Sequence, residues 1–275
     1  MNPRRRHETL GKVTDEPEKE EGMRKVKTAV VPAAGYGSRM GPLTNVIPKE
    51  MFPLGSIPMI EHTIAELVSS GIKRIGVVIR NGKEVIREYL ESRKSLYPES
   101  EFEFVFQKEP LGLGDALWCA RDFIQGAPFV MAIPDQVLIS EQAATLQLLE
   151  ASEGVDGIWN SMVQIPRNEM AFFKGARSVR YKKVNREVFV IEDISTDITS
   201  RVRAFGRTVF LPEALDYMSK QSVNDVSGEV DLLKTFYALK EKFRLFGVLL
   251  KGRPCDLGTW EGYYFYQQTI LRSRQ

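Results

Sequence analysis

The feature that most constrains this chain is an alternation over residues 27–135, where short apolar runs are separated by segments of helical spacing. KTAVVPAAG (27–35), RIGVVIR (74–80) and PFVMAIPD (128–135) are too short for buried helices and end in small or turn-forming residues, which predicts buried strands. EFEFVFQ (101–107) alternates as a further strand. Between them, PMIEHTIAELVSSG (58–71) places Ile60, Ile64, Leu67 and Val68 on one helical face, with Gly71 as a stop. A polar helix is expected near residues 83–92 and another over GDALWCARDFI (114–124). Strands that alternate with helices require right-handed crossovers. The chain is therefore expected to be α/β, with a Rossmann-like mixed, mainly parallel sheet covered by helices on both faces.

The second half is less regular. SVRYKKV and EVFVIED (178–193) predict a β-hairpin around Asn185–Arg186, and RAFGRTVFL (203–211) and FRLFGVLLKG (243–252) predict strands. VDLLKTFYALKEK (230–242) is expected to be helical, as is GTWEGYYFYQQTILRS (258–273). The aromatic side of that last helix (Trp260, Tyr263, Tyr264, Phe265, Tyr266) suits either a subunit interface or packing on its own sheet. No repeat or linker divides the halves, so residues 26–275 are expected to form one domain. Residues 1–25 are charged and without apolar period, which predicts a disordered tail.

Charge and cysteine usage exclude several classes. Lys and Arg total 38 against 36 for Asp and Glu, so no bulk field points to nucleic acid. No apolar run approaches the roughly 20 residues of a membrane span. Cys119 and Cys255 form neither a disulfide framework nor a metal spacing, and a reduced, cytoplasmic protein is expected. Only His7 and His62 are available, so a Ser-His-Asp or zinc mechanism is poorly supported.

In open parallel sheets, ligands bind outside the carboxyl ends of the strands. The loop after Ala34, and Gln107, Asp135 and Asp256, all fall at such ends. The loop AAGYGSRMGPLTNVIPKEMFPLG (33–55) carries Gly35, Gly37 and Gly41, which let backbone N–H groups approach an anion. It lacks Gly-Lys-Ser/Thr, and a Met stands where the third dinucleotide-binding glycine belongs, so neither common phosphate loop fits. It instead carries Arg39 and Lys49, stiffened by prolines at 42, 48 and 53, a combination suited to a triphosphate. Magnesium prefers one or two carboxylates plus phosphate oxygens, which Asp135 and Asp256 could supply. Gln107 offers one acceptor and two donors, matching the imide edge of uracil or thymine, and Gly112 would let the backbone approach the ring.

GYGSRMGPLTNVIPKEMFPLGSIPMI (35–60) resembles the signature loop of the sugar-1-phosphate nucleotidyltransferases, and its PKEM form resembles that of bacterial UTP–glucose-1-phosphate uridylyltransferases. QKEPLGLGDALWCA (107–120), AIPDQVL (132–138), AFGRTVFL (204–211), GEVDLLKTFYAL (228–239) and KGRPCDLGTWEGY (251–263) agree in order. The resemblance spans roughly residues 26–272 and implies the nucleotide-diphospho-sugar transferase fold. It implies Ala34, Gly35 and Gly37 at the nucleotide, Gln107 and Gly112 at the base, and Arg39 and Lys49 at the phosphates, with Lys251 near them. It implies Mg2+ on Asp135 and Asp256, with UTP or dTTP and a sugar 1-phosphate as substrates. Self-association is expected as well.

The acceptor side departs from that pattern. The family's Glu-Lys-Pro segment aligns with VIEDIST (190–196), so that Glu192 fits the sugar-binding Glu and Asp193 stands where the phosphate-binding Lys belongs. Phe172–Phe173 matches the family's Tyr-Gly pair, which would put a ring where a sugar sits. Two readings stay open. In one, Arg201 or Arg203 replaces the lost Lys and the enzyme uses a different sugar 1-phosphate. In the other, a nucleotide-binding or regulatory relative has weak or no transferase activity. A cytidylyltransferase-like enzyme acting on a non-sugar phosphate is a third possibility.

Overall fold

A computed structural model describes residues 25–185, 187–197, 199–218 and 232–273. The expected tail, all but Lys25, lies outside these residues, as do Arg186 of the hairpin turn and the start of the segment 228–239. The first half follows the apolar runs. Strands β1 (Thr28–Pro32), β2 (Arg74–Ile79), β3 (Glu101–Phe106) and β4 (Phe129–Ala132) alternate with helices α1 (Met59–Ser69), α2 (Glu84–Ser92) and α3 (Leu113–Cys119). The expected helix 114–124 is broken after Cys119, and a single turn, Arg121–Ile124, follows it.

The rest of the chain supplies β5 (Gln136–Ile139), α4 (Ala144–Ser152), β6 (Ile158–Gln164), β7 (Ser178–Lys183), β8 (Val188–Ser195), β9 (Val202–Phe210), α5 (Leu232–Lys240), β10 (Leu245–Leu249), β11 (Arg253–Asp256) and α6 (Trp260–Ser273). Nine strands form one sheet in the order β3-β2-β1-β4-β9-β6-β10-β8-β7. The run β3-β2-β1-β4 is parallel, and so is β6-β10. Strand β9 lies antiparallel to both β4 and β6, and β8 is antiparallel to both β10 and β7. The sheet is thus mixed, and the expectation of a mainly parallel one holds only for its first half. A short apolar run signals burial on both faces but carries no strand direction.

Alternation along each strand divides the core into two layers. Ala29 and Val31 of β1 and Ile75 and Val77 of β2 face the layer built from α1, α2, α4 and α6, through Ile60, Ile64, Leu67, Ile86, Leu90, Leu148 and Tyr266. Val30 and Val78 face the opposite layer, with Ala116, Leu117, Phe123, Leu215 and Phe236. Helix α6 packs on its own chain. Trp260 stacks on Phe52 with ring centroids 5.4 Å apart, and Phe265 stacks on Phe172 at 4.6 Å. Tyr263 donates to the Pro53 carbonyl and Tyr266 to Glu169.

Candidate active site

The loop after β1 is held by short-range structure. Its 3-10 turns, Ser38–Met40, Leu43–Asn45 and Lys49–Met51, follow its glycines and prolines. Gly37 takes a left-handed φ of 68°, and the Thr44 hydroxyl donates to its carbonyl at 3.1 Å. Two buried side chains pin the loop to the sheet. Met40 is sealed in the core, and Glu50 accepts from Lys83 at 2.8 Å. Lys83, also buried, donates to the carbonyl of Ala33 at 2.7 Å, tying both ends of the loop to one ammonium. Glu50 is thereby committed inward, while its neighbour Lys49 reaches across the crevice.

Lys49 meets Asp135, which follows β4, with Nζ 2.5 Å from Oδ2. Asp256 ends β11, paired antiparallel with β5 so that it lies opposite Gln136. A methyl group built on Gly258 would stand 3.0 Å from Asp135 Oδ2, 3.1 Å from Arg39 Nη2 and 3.1 Å from Asp256 Oδ1. Gly258 is therefore the gap across which a guanidinium and two carboxylates converge. Gly175 serves Arg39 in the same way, since a methyl there would meet Nη1 at 2.5 Å.

The electrostatics follow from this crowding. Burial alone would raise the Asp135 carboxyl, but Lys49, and then Arg39, hold it below the usual aspartate value. Burial, and then the charge of Asp135, push Asp256 up to about 6. Burial would lower the Lys49 ammonium, but Asp135 and then Glu50 outweigh it and hold it above the ordinary lysine value. Two buried carboxylates side by side, one carrying a raised pKa, form a donor set that a divalent cation relieves. Among the described residues there is no group of three His, Cys, Asp or Glu side chains that could hold a metal by itself. A two-carboxylate site completed by substrate oxygens fits Mg2+ better than a full protein cage.

A second clamp, which sequence reading missed, fixes the segment bearing Asp135. Arg207 of β9 is fully buried and forms a two-pronged pair with Glu66 of α1, with Nε–Oε1 and Nη2–Oε2 both 2.8 Å. It also donates to the carbonyls of Ile133 at 2.9 Å and Gln136 at 3.1 Å. Burial would raise Glu66, but Arg207 holds it below the ordinary glutamate value. The signal was an arginine among the apolar residues of a strand, Arg207 in AFGRTVFL.

Gln107, just past β3, is buried and donates its amide nitrogen to Asp115 Oδ2 at 2.6 Å and to the Gly112 carbonyl at 3.3 Å. Together with Ala34, Gly35, Arg39, Lys49, Gly112, Asp135 and Asp256, it lines one crevice of about 300 Å³. Gly37 is not in that lining; a methyl built on it would meet Thr44 at 3.2 Å and Cδ of Lys49 at 3.5 Å.

The residues expected at the acceptor side do not join them. Glu192 and Asp193 both turn to Arg180, at 2.8 and 3.5 Å, and Asp193 also accepts from Tyr237 at 2.8 Å. A register shift between Ile191 and Asp193 accompanies this turn, and Ile191 and Ile194 line the adjoining cavity instead. Arg203 is buried and spends its guanidinium on Ser178 and on the carbonyls of Ala176 and Asp197. Arg201 donates to the Ile165 carbonyl at 2.8 Å. Lys251 lies in the turn between β10 and β11, exposed and 3.4 Å from Glu187, and does not line the crevice with Arg39 and Lys49. Phe173 is in the core against Tyr266, and it is Gly175, two residues on, that faces the crevice, so no ring blocks it. The adjoining cavity of about 550 Å³ shares Arg39, Leu113, Ile133, Gln136 and Gly175 with the crevice and is otherwise mostly apolar, with Arg177 in its lining.

Residues 28–171 match the family described as nucleotidyl transferase. A curated relative from Bacillus subtilis, named UTP–glucose-1-phosphate uridylyltransferase, is 31% identical over 265 residues, covering 88% of this chain and 89% of the relative. The chain belongs to the nucleotidyl transferase family. A second uridylyltransferase, from Staphylococcus saprophyticus, is 28% identical over 270 residues. The fold of a UDP-glucose pyrophosphorylase crystallised with UDP-glucose superposes with a TM-score of 0.81 at 22% identity, covering 90% of this chain and 99% of that one. The resemblance read from the signature loop is thus upheld, and the chain is an enzyme of the nucleotidyltransferase class. Among the described residues no helix is long and apolar enough to cross a membrane.

Proposed function

We propose that this enzyme transfers UMP from UTP to a sugar 1-phosphate and releases pyrophosphate. An oxygen of the acceptor phosphate attacks the α-phosphorus of UTP. The bond from that phosphorus to the bridging oxygen breaks, and the electron pair leaves with pyrophosphate. Such transfer needs positioning and charge stabilisation rather than covalent help. The observation that carries the reading is the convergence of Arg39, Lys49, Asp135 and Asp256 on one crevice. Arg39 and Lys49 hold the triphosphate against the negative charge that grows on the leaving group. Asp135 and Asp256 would hold Mg2+, which neutralises phosphate charge when bound. The names of the curated relatives favour UTP over dTTP.

The acceptor side is compatible with this activity. Asp193 is turned to Arg180 and Tyr237, so its charge does not oppose an acceptor phosphate. Arg177, which lines the adjoining cavity, supports this reading as a candidate cation for that phosphate, whereas Arg201 and Arg203 are engaged with backbone carbonyls. Pyrophosphate release from UTP by the full chain with Mg2+, across a panel of sugar 1-phosphates, tests the reading. Release with at least one sugar phosphate is expected. Tight UTP binding without release for any of them would instead make the protein a nucleotide-binding relative.

A further inference from the structure

We propose that Asp115 sets the hydrogen-bond polarity of the base-reading amide, fixing Gln107 as an acceptor toward the nucleotide. The proposal rests on the reading that this crevice takes a pyrimidine nucleoside triphosphate. An unrestrained glutamine can flip its amide and present either oxygen or NH2 to a guest. Here two acceptors stand on one side of the Gln107 amide: Asp115 Oδ2 at 2.6 Å and the Gly112 carbonyl at 3.3 Å. Flipping would set the amide oxygen against a carboxylate and a carbonyl at once. The nitrogen is therefore locked toward α3, and the oxygen is the group left for a guest. Asp115 is itself well seated. It lies in the first turn of α3, where the helix dipole favours an acid. The Cys119 thiol lies one turn on, 4.0 Å from the same Oδ2.

An acceptor-only reader has a consequence for base choice. Uracil carries a protonated N3 and can donate to the Gln107 oxygen. Cytosine carries a bare N3, which would face that oxygen lone pair to lone pair. Asp115 does not line the crevice and acts through Gln107, so it is a positioning residue whose effect is on selectivity.

The test is calorimetric binding of UTP and of CTP to the full chain with Mg2+. Wild type is expected to prefer UTP. In Asp115→Ala only the longer contact to the Gly112 carbonyl still opposes a flip, so UTP weakens and CTP tightens, and the preference falls about tenfold, the equivalent of one net hydrogen bond. Tighter CTP binding is a gain that general damage to the fold does not produce. Asp115→Asn retains a carbonyl acceptor in the same space and gives an intermediate preference. An unchanged UTP:CTP ratio in either folded variant, or a wild type indifferent to the base, overturns the proposal. A wild type that prefers UTP in binding yet releases no pyrophosphate leaves the proposal standing and removes the transfer reading instead.

Discussion

Gly258→Ala probes the crevice without removing a functional group. Its backbone is not in the left-handed region, so alanine is compatible with the fold, and the loss of unfolded-state freedom offsets part of any local crowding. The added methyl would stand 3.0–3.1 Å from Asp135, Arg39 and Asp256, closer than side chains normally tolerate. The neighbours must yield by a few tenths of an ångström, and two of them have little freedom to do so. Asp135 Oδ2 is tied to Lys49 at 2.5 Å, and Asp256 Oδ1 accepts from the Gly258 N–H at 3.0 Å. A misplacement of about 1 Å at a reacting centre can cost ~100-fold in rate. A shift of a third of that therefore predicts a fall in kcat of roughly fivefold. The assay is pyrophosphate release at saturating substrates with a Mg2+ titration, alongside a thermal melt. An unchanged melt with lower kcat and a higher Mg2+ requirement is expected. Wild-type kcat and Mg2+ dependence would refute the convergence of these groups on one reacting centre.

Lys49→Ala should lower kcat/KM more than tenfold, because it removes a phosphate cation and the partner of a buried Asp135; an unchanged steady-state rate would return Lys49 to a purely structural role. Arg207→Met strands the charge of Glu66, whose side chain is only 12% exposed, and urea unfolding should show a loss of about 3 kcal/mol. Adding Glu66→Gln, which can still accept from Thr145, should recover about 1 kcal/mol or more; no recovery would mean the loss lies in packing. The pH dependence of stability is set in part by Glu61. Burial would raise it, but Tyr89, Arg93 and Tyr97 hold it below its ordinary value of 4.5. Its contribution is present above that value and fades as pH falls through the depressed one, so urea midpoints of wild type and Glu61→Gln should converge in acid. Burial and Glu61 push Tyr89 and Tyr97 up from 10.0 to about 12, so stability should also fall as pH rises between those values; flat profiles at both ends would exclude this cluster.

The half of the fold written in continuous apolar runs was legible, because β1, β2 and β4 are covered on both faces. Strand β6 was not, because IWNSMVQ places Asn160 and Ser161 mid-strand. The bonds these side chains donate are made only through tertiary structure. Ser161 donates to the carbonyls of Phe205 and Arg207 where the β9 register shifts, and Asn160 donates to Thr208. The convergence of Arg39, Lys49, Asp135 and Asp256 was legible for a related reason, since glycines, cations and carboxylates at strand ends have few structural uses in common. The acceptor side was misread through Phe173 because the 3-10 turn Arg167–Phe173 has no periodicity to anchor a register. The clamp of Arg207 on Glu66 joins residues 141 apart, a pairing that no local pattern encodes.

The decisive measurement is a crystal structure with UTP and Mn2+ standing in for Mg2+. The account predicts a triphosphate touching Arg39 and Lys49, the uracil beside Gln107, and an anomalous peak bridged by Asp135 and Asp256. Nucleotide bound elsewhere, or metal density away from both carboxylates, would contradict it.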